Sequence, residues 1–298
     1  MAGFFGFFDY TKPGKGVSKD ELDKTGLALY FDILIRRFWK FATLNLIYLI
    51  ASIPAIVIGW FISTYAVTWL ASLAKIDFSG DFAASLSLLS IFVTIVLLQL
   101  CGSGPASAGM SYVLRKYVND THSWVFSDFI DNIKSNFKQS IGVYLINIVI
   151  VCLYMVSFVF YSYAMTGMVA LLLRSIITVV AAVFFMMQMY TYQLMVSFEL
   201  RFRDIYRNAF ILVMAKLPWN ILTGAITVAL MYAAFSLTMS VPLAGIVVIA
   251  ALFYSIINFT QIFMTNNVIK KMLLEPAMAA SPAVEEEVIE PDFEDAKG

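Results

Sequence analysis

Five stretches of the chain carry no Asp, Glu, Lys, Arg or His: Phe41–Ala74, Phe82–Leu114, Gln139–Leu173, Ser175–Phe198 and Leu217–Ile269. A helix needs about 20 apolar residues to cross the hydrocarbon core of a bilayer, so the first four stretches each suit one crossing and the last suits two. Hydrocarbon offers backbone amides no hydrogen-bond partners, which leaves helices or a closed barrel as spanning structures. Unbroken apolar runs lack the alternation of a barrel strand. The expected fold is therefore all-α, a polytopic membrane protein of six transmembrane helices near Phe41–Trp69, Leu86–Leu114, Ser140–Tyr163, Met168–Ser197, Trp219–Ser240 and Leu243–Val268. Composition agrees: 61% of residues are hydrophobic and 13% charged, against about half and a quarter in soluble domains.

Charge then orients the bundle. Of the 20 Lys and Arg residues, all but Lys75 and Arg174 fall at the termini or in every second connection. The positive-inside rule places those segments, and hence both termini, in the cytoplasm of a cell membrane. Residues 1–40 then form a cytoplasmic segment, 41–272 the membrane domain and 273–298 a tail. Glu285, Glu286, Glu287, Glu290, Asp292, Glu294 and Asp295 make that tail acidic, and it is expected to be disordered. The opening MAGFFGFFDYTKPGKG has no basic region ahead of an apolar core and no small-residue cleavage site, so it is not expected to be a secretory signal. Cys101 and Cys152 both fall within spans, where thiols behave as small apolar groups.

Three segments ahead of the first, third and fifth spans share one pattern of aromatic, any residue, Asp, apolar, apolar: Tyr30 to Leu34, Phe126 to Ile130 and Phe202 to Tyr206. The last two also share an Asn four positions after the Asp, Asn132 and Asn208. A threefold tandem of helical hairpins accounts for this, as does the common chemistry of hairpins entering lipid from a basic side. Around Trp124, the residues Phe126, Phe129, Ile130, Ile133 and Phe137 recur at three- and four-residue steps with Asp128, Asp131 and Asn132 opposite. This predicts an amphipathic helix on the inner leaflet. Phe202, Ile205, Tyr206 and Ala209 predict another, with Asp204 and Asn208 on its polar face. Docking onto a partner and covering the rim of the bundle both explain such helices.

Chemistry of its own is not expected of this chain. Coupled transport commonly uses an ionisable side chain inside a span, and none lies well inside one here; Glu199 stands nearest, with Arg201 or Arg203 as its expected ion-pair partner. Gly14-Lys15-Gly16 lacks the strand and helix of a phosphate cradle. His122 has no Cys, His or carboxylate at ligand spacing, so no metal, cofactor or catalytic centre is expected, nor a nucleic-acid partner. The second span carries Gly102, Ser103, Gly104, Pro105 and Gly109. Small side chains permit close helix packing, and Pro105 frees a carbonyl where the helix breaks. Pro54 and Gly59 predict a similar break in the first span. Asn45, Gln99, Asn147, Gln188, Gln193, Asn258 and Gln261 are neutral groups able to bond between helices or to line a polar path.

Several segments resemble the YesL-like bacterial membrane family: FFDYTKPGKGVSKDE, NLIYLIASIPAIVIG, GPASAGMSYVLRKYV, HSWVFSDFIDNIKSNFKQS and, more loosely, RFRDIYRNAFILVMAKLP. The matching positions include Pro13, Gly14, Gly16, Ser18, Gly104, Pro105, Arg115, Trp124 and Asp128. That family is a domain of unknown function, mainly of Gram-positive bacteria, encoded near solute-binding proteins, permeases and glycoside-degrading enzymes. The resemblance implies a role in carbohydrate import. The expectation is an accessory subunit without a motor, bound to the permease subunits of a sugar ABC importer and also to its ATPase subunit or surrounding lipid. Pro13, Gly14, Gly16, Ser18, Trp124, Asp128, Phe129, Asn132, Asp204 and Asn208 are the candidate contacts. A standalone facilitator of a neutral solute and an assembly or regulatory factor are the alternatives.

Overall fold

The computed structural model describes residues 26–73 and 81–276, all of its elements being helical. Pro13, Gly14, Gly16, Ser18 and the acidic tail lie outside the described residues. Five helices are long and apolar enough to cross a membrane: Ile53–Leu73, Phe137–Tyr163, Gly167–Ser197, Leu217–Ser240 and Pro242–Leu274. A sixth crossing arises if Leu89–Cys101 and Pro105–Val118, bent by 63°, are counted as one broken span. The chain is thus a multi-pass membrane protein. Its surface supports this: Val149, Leu153, Val156 and Phe160 follow one another along a single helix face and are each more than half exposed, an outward apolar face that only lipid solvates well.

In chain order the elements are α1 (Gly26–Arg36), α2 (Phe38–Ala51), α3 (Ile53–Leu73), α4 (Asp81–Cys101), α5 (Pro105–Val118), α6 (Val125–Ser135), α7 (Phe137–Tyr163), α8 (Gly167–Ser197), α9 (Phe202–Ala215), α10 (Leu217–Ser240), α11 (Pro242–Val248) and α12 (Tyr254–Ile269). The first expected span is divided at Ser52, because Pro54 has no N–H to offer the Ile50 carbonyl. The Ser52 N–H instead bonds both the Tyr48 and Leu49 carbonyls, at 2.9 and 3.2 Å. The long apolar run folds back at Val241, as its length requires. Between α11 and α12 a π-helical turn, Ile249–Phe253, interrupts the last span. Asn45 of α2 is its counterpart: its amide donates to the Ile249 and Ala250 carbonyls and accepts from the Ser255 N–H.

The three related segments become three short helices, α1, α6 and α9, each leading into a hairpin of spans. In each, the apolar residue after the Asp is fully buried: Ile33, Phe129 and Ile205. Their docking is cyclic. Helix α6 packs on α5 and α9 on α8, while α1 rests on α12 through Tyr30, whose hydroxyl bonds Thr260 at 2.8 Å and whose ring stacks on Phe259. The returning helices α5, α8 and α12 pack against one another pairwise and form the centre, where nearly all of Ala106–Leu114 and Met189–Met195 is buried. The arrangement favours true threefold repetition, because the interfacial chemistry of separate hairpins gives no reason for equivalent docking.

Each hairpin's outgoing helix also contributes a fully buried asparagine, Asn45, Asn147 or Asn220. Asn147 donates to the Cys101 carbonyl and the Gln188 side-chain carbonyl and accepts from the Tyr206 hydroxyl. Asn220 donates to the Leu212 and Val213 carbonyls and accepts from Tyr190. With few competing partners in a lipid-solvated core, these neutral bonds hold helices together without a buried charge.

Candidate functional site

The span break sits at the meeting point of the three central helices. Gly102 and Gly104 both have positive φ, 69° and 66°, a region costly for residues with a Cβ. A Cβ on Gly102 would lie 2.6 Å from the Tyr192 ring. Pro105, first residue of α5, lacks the N–H that would bond Cys101, and the freed carbonyl accepts instead from Asn147 at 2.9 Å and Tyr192 at 3.1 Å. The Ser103 N–H is capped by the Ser107 hydroxyl at 2.8 Å. At the break, side chains thus satisfy the Cys101 carbonyl and the Ser103 N–H that the interrupted helix leaves free. Gly109 serves packing alone, since a Cβ there would lie 2.7 Å from the Phe129 carbonyl oxygen.

Beside the break lies a small polar chamber of about 20 Å³, walled by Tyr48, Gln99, Gln188, Tyr192, Asn258 and Gln261 among others. Its amides come from α4 (Gln99), α8 (Gln188) and α12 (Asn258 and Gln261), and α5 adds the Ser107 hydroxyl. That volume holds a water-sized guest and not a sugar. The Gln188 Nε2 is buried without a hydrogen-bond partner, and Gln188 also lines an apolar groove of about 530 Å³ between α4, α7 and α8. Amides and hydroxyls here can donate to and accept from a neutral guest. Among the described residues no group of three His, Cys, Asp or Glu is placed to hold a metal.

Arg174 apart, the basic residues among those described sit in the short helices and at the helix ends beside them. Arg36 and Arg37 grip Asp120 at 2.8 and 2.6 Å, Arg37 also lying over the Tyr117 ring, and Asn266 at the end of α12 bonds Asn119. Asp128 works inside the fold: it accepts from Lys116, from the Ser123 hydroxyl and from the Trp124 N–H at the start of α6. Burial alone would raise its pKa, but the Lys116 and Ser123 bonds, the Lys116 charge and the Trp124 N–H outweigh this and hold it below the ordinary carboxylate range.

Of the candidate contacts, Phe129 is fully buried and Asn132 bonds back to the Asp128 carbonyl, so α6 presents Trp124 and Phe126 outward instead, 73% and 65% exposed. Asp204 and Asn208 are half-buried on α9. Glu199 is exposed, as are Arg201 and Arg203, and it forms no ion pair with either; in open solvent such a pair gains little. His122 only meets the Trp124 ring edge-on. Asn220 and the tyrosines Tyr144 and Tyr192 carry no signal in the sequence, since an apolar-rich span hides an inward-facing polar group and no local pattern marks it; Tyr206 is legible only as part of the apolar face of α9.

A family model described as "Protein of unknown function, DUF624" matches residues 83–158, which take in the span break, Asp128 and Asn147. No curated protein and no solved structure matches the chain.

Proposed function

We propose that the chain is an accessory subunit in the cell membrane, with its basic end cytoplasmic, that binds the permease subunits of a carbohydrate ABC importer. The observation that carries this is the division of labour in the collar of α1, α6 and α9. Each short helix spends one face on the bundle and leaves large apolar side chains unused: Leu27, Phe31 and Ile35 on α1, Trp124 and Phe126 on α6, Phe210 on α9. Amphipathic helices with free apolar anchors suit a groove on another membrane protein. The neutral, water-sized chamber supports a subunit that drives nothing itself. The YesL-like resemblance, consistent with the match to an uncharacterised family, supplies the sugar-import context.

The test is affinity purification of the tagged full chain from sugar-grown cells in mild detergent. Permease and ATPase subunits are expected to co-purify, and Trp124→Ala with Phe126→Ala is expected to reduce their recovery severalfold. Recovery of the chain alone would count against the reading. The unpartnered Gln188 amide favours a second reading, a facilitator that opens at the Gly102–Gly104 break; sugar flux through proteoliposomes holding only this chain would establish it and displace the first.

A further inference from the structure

The three collar helices differ in one respect. The loop ahead of α6 is tied to the end of α1 and the start of the first hairpin, Asp120 being held by Arg36 and Arg37. Helix α9 is tied likewise, through Tyr206 to Asn147 and Phe202 against Gly142. Helix α1 touches α12 but stands away from α10, leaving a groove of about 880 Å³ between them. Its wall along α10 descends from Lys216 through Trp219, Leu222 and Ile226 to Leu230. At 1.5 Å per residue this wall is about 21 Å long, close to an extended acyl chain. Its upper rim carries Lys216 and Lys271, both exposed and without an ion pair among the described residues, with Asn267 beside them. The Trp219 indole N–H donates to the Met264 carbonyl at 2.8 Å and fixes the floor between α10 and α12.

We propose that this groove binds one anionic phospholipid, its phosphate between Lys216 and Lys271 and one acyl chain along Trp219 to Leu230. The fit is of both parts: an apolar channel of acyl length would accept any lipid, while two cations at its mouth select negative charge. Bound lipid fills the gap that α1, held to α12 by Tyr30 and to Asp120 by Arg36, leaves on its side toward α10.

Native mass spectrometry of the detergent-purified full chain, with phosphatidylglycerol or phosphatidylcholine of matched chains added, decides the matter. Wild type is expected to retain phosphatidylglycerol preferentially. Lys216→Gln with Lys271→Gln, both surface changes, should lower that preference roughly tenfold, whereas Lys134→Gln on α6 with Lys138→Gln on α7 should leave it unchanged. Ile226→Trp, which fills the channel, should reduce retention of both lipids while the melting temperature reports folding. Equal retention of the two lipids by wild type, or an equal loss from both lysine pairs, would overturn the proposal. So would a preference that appears only after residues 277–298 are removed, since the groove mouth would then belong to the acidic tail.

Discussion

Asp128 closes the start of α6 and clamps it to α5 through Lys116, two jobs for one carboxylate. Asp128→Ala should cost about 1–3 kcal/mol, read as a lower melting temperature of the purified protein. Because its pKa is depressed in the fold, the stabilisation is fully present above the ordinary carboxylate range and fades as pH falls through the folded value. Thermal melts of wild type should therefore weaken toward acid by more than those of Asp128→Asn, and parallel curves would remove Asp128 from the account. The sequence marks Asp128 by its repeated pattern but not its purpose. The same spacing that suggests a polar face for a partner also suits a helix-capping carboxylate, and only the approach of Lys116 from α5 distinguishes them.

Within α4 and α5, the glycines and the proline have separable roles. Pro105 occupies the first position of its helix, where a missing N–H costs nothing, so Pro105→Ala should change stability by less than about 1 kcal/mol. Gly104→Ala meets a forbidden backbone region and backbone at Ser140 3.3 Å away, and should cost about 1–3 kcal/mol in the same melts. Equal effects would mean that the proline makes the break. Spans, this break and the fold-back at Val241 are legible because charge gaps, proline and run length are local signals. The π-helical turn at Ile249–Phe253 is not, since its partner Asn45 lies 204 positions away in the chain. The chamber shares that difficulty: Gln99, Gln188, Asn258 and Gln261 stand out as neutral groups in apolar spans, but their convergence depends on three helices meeting.

For the bundle, the proposed compartments of its two ends rest on the alternation of basic residues. A cysteine placed at Val241 in a chain otherwise free of cysteine should react with an impermeant maleimide added to intact cells, and one placed at Lys138 should react only after lysis. The reverse pattern would invert the proposed topology and with it the cytoplasmic assignment of the collar. The cyclic docking of short helices on returning spans also bears on biosynthesis. Tyr30 is made early and Thr260 late, yet the two hold the ring shut, so the ribosome must deliver almost the entire membrane domain before its opening helix finds a seat. Until Thr260 has emerged, this seam between the first collar helix and the last span has no partner to close on.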